Sequence, residues 1–128
     1  MKIGSIKFKA KRLDGKGWAI GDLLHSYENG AIIVPIEGGG VFSVDPSTVC
    51  QFTGLKDRNG VEVWEHDLLT KDYSVIYEVG YEGCGFKASI KGEDEFDLNL
   101  VAVCKYDCIC GNKFDRKEGE KNDEEKNI

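Results

Sequence analysis

Apolar and polar positions alternate near the start of the chain. Ile6, Phe8 and Ala10 fall on one side of an extended segment and Lys7, Lys9 and Lys11 on the other, the period of a half-buried strand. Asp14-Gly15 marks a turn, after which residues 18–24 read as a second strand. Asn29-Gly30 predicts a tight hairpin of type I′, which needs positive φ at both central residues. Residues 31–36 follow as a continuous β-branched run whose pairing Pro35 limits. Gly38-Gly39-Gly40 ends it, residues 41–44 start another short strand, and Asp45-Pro46 turns the chain into residues 48–53. A second Asn-Gly, Asn59-Gly60, separates that strand from residues 61–64. Further strands are expected over 68–71, 75–81, 86–90 and 98–104. Helix evidence amounts to one turn, near 93–97 or 46–49.

The rhythm of short strands and Gly-marked bends predicts a mostly β fold, a small barrel or sandwich-like domain of hairpins over residues 1–114. A shift of 45 residues places Asp22-Leu23-Leu24 on Asp67-Leu68-Leu69, Val34 on Val79, and Glu37-Gly38 and Gly40 on Glu82-Gly83 and Gly85. This similarity suggests an internal duplication into lobes 1–56 and 57–114. Reuse of common turn residues is the alternative explanation. Residues 115–128 are nearly all charged or polar and bury too little to offset their ordering entropy, so they read as a disordered tail.

The 128 residues, 41% of them hydrophobic, suffice for one domain or two small subdomains. No run approaches the roughly 20 apolar residues of a membrane helix, and the N-terminus has no apolar signal core. Charge is uneven: the net charge is -6, yet residues 1–16 hold six basic residues and one acid. So acidic a chain repels a phosphate backbone everywhere except at its N-terminal strand. Cysteines at 50, 84, 104, 108 and 110 make an odd count, which favours reduced thiols over a disulfide framework. Cys104, Cys108 and Cys110 depart from the paired spacing of structural zinc, and a fourth ligand would have to be Cys50, Cys84, His25 or His66. Three small apolar residues on one buried strand face are therefore expected, and no metal or cofactor.

Templates for chemistry are missing. The chain has no GxSxG elbow, no P-loop and no GxGxxG. Glu65-His66-Asp67 is the densest polar cluster, but an extended strand turns His66 away from its two neighbours. It reads as the solvated start of a strand rather than a proton shuttle or metal site. The stripe of Lys7, Lys9 and Lys11 has two readings. Lysines on an exposed edge strand block unwanted pairing; alternatively, the same three contact nucleic acid. Aromatic residues alternate poorly with the stripe, since Phe8 faces away and Trp18 lies across a turn.

One stretch resembles a known family. Gln51, Phe52, Thr53, Gly54, Leu55, Lys56, Asp57, Arg58, Asn59 and Gly60, followed by Glu65, Asp67 and Leu68-Leu69, resemble the hallmark of the YopX family of phage and prophage proteins. The opening from Ile6 to Asp14, with Gly17-Trp18 onward, is similar too. The likeness is specific over 6–70 and general in strand rhythm over 71–114. Two departures stand out: His66 replaces the family's middle glycine, and Cys110-Gly111-Asn112-Lys113-Phe114 meets the family's ending only in part. The resemblance implies a fold and a phage context, in the cytoplasm of a bacterial host, without implying a catalytic residue. In the hallmark, Thr53 and Asp57 should bond to nearby backbone, Asn59-Gly60 should close the turn, and Phe52 and Leu55 should anchor it. The expected function is a non-enzymatic binding or assembly protein that self-associates into a homo-oligomer or docks on a host or phage protein. The alternative is nucleic-acid binding through Lys7, Lys9 and Lys11.

Overall fold

A computed structural model describes residues 2–115, and residues 116–128 of the expected tail lie outside the described residues. The chain divides into two units, Met1–Leu55 with Glu62–Glu65, and Lys56–Val61 with His66–Ile128. The fold is mostly β, in two antiparallel sheets, and among the described residues neither sheet closes into a barrel.

The first unit holds β1 (Phe8–Lys11), β2 (Trp18–His25), β3 (Ala31–Val34), β4 (Phe42–Val44), β5 (Cys50–Lys56) and β6 (Glu62–Trp64), side by side in the order β4-β3-β2-β1-β5-β6. Register fixes which side chains meet. Ala10 lies across from Ala19, Leu23 from Ile33, and Ala31 from Val44. One face therefore gathers Ala10, Ala19, Ala31, Ile33 and Val44 into a buried core, with Phe8, Leu23, Phe42 and Val49 packed against it. The small side chains of Ala10, Ala19 and Ala31 leave room for the sheet to curl, and an isolated bridge between Arg12 and Val44 returns the end of β4 to that of β1. Gly21 serves the same curl: a Cβ there would lie 2.2 Å from the Val34 carbonyl oxygen. After Asp45, whose side chain accepts the Ser47 N–H, Pro46–Thr48 make the expected single helical turn.

Two expectations fail in this unit. Positive φ falls on Glu28 (60°) and Asn29 (64°), whereas Gly30 has φ -78°, so no type I′ turn is centred on Asn29-Gly30. The loop is longer, closed by the Ser26 N–H donating to the Gly30 carbonyl, and Gly30 is there for room: its Cβ would meet Ser26 Oγ at 2.3 Å. Second, β1 is no edge strand. It lies between β2 and β5, so protection of a free edge does not explain its lysines.

The second unit holds β7 (Asp67–Thr70), β8 (Ile76–Glu82), β9 (Gly85–Ile90), α1 (Leu100–Tyr106) and β10 (Cys108–Asn112), its sheet running β10-β7-β8-β9. Leu69, Val79, Ala88, Leu100 and Cys104 are its buried apolar residues. Residues 98–104, expected as a strand, are mostly helix. Asn99 caps α1 by accepting the Ala102 N–H, and Leu100 and Cys104, one turn apart, are the buried pair. No helix among the described residues is long and apolar enough to cross a membrane.

The 45-residue similarity has a structural counterpart. Leu23 on Ile33, Leu24 on Ile32 and His25 on Ala31 in one hairpin become Leu68 on Glu78, Leu69 on Tyr77 and Thr70 on Ile76 in the other, each shifted by 45. The sheets also share a layout: β10 stands beside β7 as β1 stands beside β2. The next hairpin differs, since Ala31 pairs with Val44 but Glu78 with Ser89.

Candidate functional site

The outer face of the first sheet carries the lysine stripe. Alternation sends Phe8 and Ala10 into the core and leaves Lys7, Lys9 and Lys11 on the opposite side, about 6.7 Å apart along β1. Pairing supplies the neighbours. Lys11 sits across from Trp18, and Lys9 lies between Ile20 of β2 and Cys50 of β5. The Phe52 N–H donates to the Lys7 carbonyl, which brings the end of the stripe beside Phe52 and Trp64.

Every lysine of the stripe stands over a ring. Lys7 Nζ is 4.8 Å from the Phe52 centroid and 5.6 Å from Trp64. Lys9 Nζ is 5.1 Å from Trp64 and 4.6 Å from Trp18, and Lys11 Nζ is 4.7 Å from Trp18. Phe52 and Trp64 pack on each other at 5.4 Å and are 7% and 6% exposed, so the lysine stems roof rings that belong to the fold. Trp18 is only half-buried. Lys7 also pairs with Glu62 at 2.8 Å, a part-buried ion pair that helps fix its ammonium group. A lysine over a ring gains ~0.5–1 kcal/mol at such a site, whereas a hydrogen bond to a charged group gains ~1.5–3. The rings, and at Lys7 the Glu62 carboxylate as well, hold the ammonium groups in place, and an arriving phosphate competes with them for the same charges. Beside Lys7 lies a shallow depression of about 340 Å³ lined by Lys7, Ile20, Pro35, Ile36 and Glu37.

The hallmark residues do structural work in both units. In the first, the Gln51 carbonyl accepts the Glu65 N–H, and the Glu65 carboxylate accepts the Gln51 N–H. Thr53 Oγ1 donates to the Val63 carbonyl and accepts the Leu55 N–H. Gly54 has φ 85°, Leu55 is half-buried and Phe52 is buried. In the second unit, Asp57 Oδ1 accepts from Asn59 and Val61 N–H, and Oδ2 accepts the Ile109 N–H. Gly60 (φ 81°) closes that turn, and Asn59 Nδ2 donates to Cys108 Sγ. Asp67 accepts from Asn112 Nδ2 at 2.9 Å, both being buried.

Glu65-His66-Asp67 is a turn rather than the expected extended segment. His66 has φ 71°, so it keeps the conformation that suits a glycine. Its ring meets Phe114 edge-on at 5.0 Å, with Nδ1 4.0 Å from Glu78. Glu65 bonds back into the first unit and Asp67 to Asn112, so the three side chains do not gather.

Nor do Cys104, Cys108 and Cys110 share a strand face. Cys104 is buried in α1, and the other two are half-buried in β10, which carries an irregularity between Ile109 and Gly111. Burial, with Asp57, Asp107 and Asp67 nearby, pushes the Cys104 thiol up to about 11. Burial likewise raises the Asp107 carboxyl against the pull of Lys71 and Arg58. Among the described residues no three His, Cys, Asp or Glu side chains come together as a metal site.

Sequence reasoning placed the lysines and missed their partners. Trp18 was within reach: folding the chain about Asp14-Gly15 sets Lys11 against it. Phe52 and Trp64 arrive through the long-range pairing of β5 with β1, for which the local pattern holds no signal.

Comparison with curated proteins gives no match. The family model described as YopX protein matches residues 18–120. Trp18, Phe52, Trp64 and the whole hallmark lie inside that stretch, whereas Lys7, Lys9 and Lys11 precede it. The match runs from β2 through β10, and the chain belongs to the YopX family.

Proposed function

We propose that this protein is a non-enzymatic binding module whose working surface is the outer face of its first sheet and whose partner is anionic. One observation carries the reading: three alternating lysines, Lys9 and Lys11 on a strand inside the sheet and Lys7 just before it, each held over an aromatic ring. The topology does not require them. In the second sheet the strand that stands beside β7 as β1 stands beside β2 is an edge strand and reads Cys108-Ile109-Cys110-Gly111-Asn112, without a lysine. Five free thiols suit a reducing compartment, in keeping with a phage or prophage protein acting in the host cytoplasm.

Heparin chromatography tests the proposal. A chain with net charge -6 has no general reason to be retained. The wild type should bind at low salt and elute as salt rises, and the triple variant Lys7→Gln, Lys9→Gln, Lys11→Gln should flow through. Equal elution of the two contradicts the proposal.

Self-association is a second reading, supported by Ile20 and Leu24, which are 48% and 52% exposed on the same face. Light scattering after size exclusion should then give a mass above 14.2 kDa that rises with concentration. A strict monomer removes this reading.

A further inference from the structure

We infer that the occupant of this face is a single strand of nucleic acid, with phosphates on Lys7, Lys9 and Lys11 and a base stacked on Trp18. The inference rests on the binding-face reading above and adds the partner. Three ammonium groups spaced along one strand span about 13 Å and follow a linear chain of negative charges. Trp18 carries two of them, Lys9 at 4.6 Å and Lys11 at 4.7 Å from its centroid. When those lysines turn to phosphates they uncover the half-buried indole, so charge pairing and base stacking occur in one step. A duplex keeps its base faces inside the helix and cannot use this ring. An acidic polypeptide matches the lysines but brings a flat group only where an aromatic residue falls at the right spacing, whereas every nucleotide of a single strand carries one.

The depression beside Lys7 fits the same occupant. Ile20, Pro35 and Ile36 offer an apolar surface to a base, and Glu37 on its wall accepts from a base N–H, such as the N3–H of thymine, while turning phosphate away. Trp18 therefore stacks one base, and this depression receives a neighbour along the strand.

The test is fluorescence anisotropy with a 20-nucleotide oligo(dT), a 20-base-pair duplex and poly-glutamate as probes. Three phosphate contacts on a single strand give a salt slope of about -2, so oligo(dT) affinity should fall about 20-fold between 50 and 200 mM salt. The duplex should bind at least about tenfold more weakly, for want of the stacked base. The variant Lys7→Gln, Lys9→Gln, Lys11→Gln should lose the slope. Trp18→Ala should weaken oligo(dT) about tenfold at an unchanged slope, and Trp18→Tyr, which preserves a stacking ring, should restore most of the affinity. Circular dichroism melts establish that each variant is folded. Equal affinity for duplex, or wild-type affinity in a folded Trp18→Ala, overturns the inference. Poly-glutamate bound through the three lysines with oligo(dT) unbound sinks the inference alone and leaves the binding-face reading standing. Failure of all three probes sinks both.

Discussion

Asp57 is where the hallmark is most exposed to a quantitative test. Its carboxylate is 7% exposed and accepts three backbone N–H groups, from Asn59 at 2.8 Å, Val61 at 2.9 Å and Ile109 at 2.9 Å. Hydrogen bonds to a charged group contribute ~1.5–3 kcal/mol each, and a donor left without its partner regains part of that only where water reaches it. Asn59 is exposed and recovers most of its loss, whereas Ile109 is half-buried and recovers less. Asp57→Ala should therefore cost about 3–5 kcal/mol. Asp57→Asn keeps Oδ1 for Asn59 and Val61 but sets an amide group against the Ile109 N–H, which should cost about 1.5–3 kcal/mol. Urea denaturation followed by far-UV circular dichroism measures the ordering. Amide hydrogen exchange at Asn59, Val61 and Ile109 localises it, which matters because two units need not unfold together. An alanine variant within about 1 kcal/mol of wild type, or an asparagine variant as unstable as the alanine one, refutes the claim that this carboxylate ties the turn to β10.

Gly21→Ala should destabilise the first unit by at least ~1–3 kcal/mol, because the new methyl meets backbone at Val34 and Pro35; a thermal melt unchanged from wild type contradicts it. Asn99→Ala should cost about 1 kcal/mol through loss of the cap on α1, read from the same melts. The pH dependence has a definite sign. A thiol near 9.0 in the unfolded chain and about 11 when folded leaves stability unchanged below pH 9. As pH rises from 9 to 11, up to about 2–3 kcal/mol is lost. Cys104→Ala should flatten that part of the alkaline profile, and an unaltered slope would show that another group is responsible.

Much of the fold was legible because a half-buried strand announces itself by period-two alternation and a bend by its glycines. Phe8 and Ala10 against Lys9 and Lys11 fixed the faces of β1, and the matching hairpins were visible as Asp-Leu-Leu and Glu-Gly repeats. The helix escaped because Leu100, Val101 and Val103 look like strand residues, and only the cap from Asn99 and the Leu100–Cys104 spacing reveal their period. The Asn29-Gly30 signal misled because glycine was needed for room beside Ser26 rather than for its φ. His66 misled in the opposite way, holding at φ 71° a conformation that the local pattern would give to glycine. The candidate face was half legible. Its charges lie on one strand and declare themselves, but its rings come from β2, β5 and β6, and only the completed sheet assembles them.

Lysine footprinting by mass spectrometry tests the central claim most directly. Rates of acetylation are compared across the chain with and without saturating oligo(dT). The account predicts protection at Lys7, Lys9 and Lys11, with Lys87, Lys91, Lys105 and Lys113 reacting as fast as before. Protection spread evenly over all lysines, or confined to those of the second unit, contradicts it.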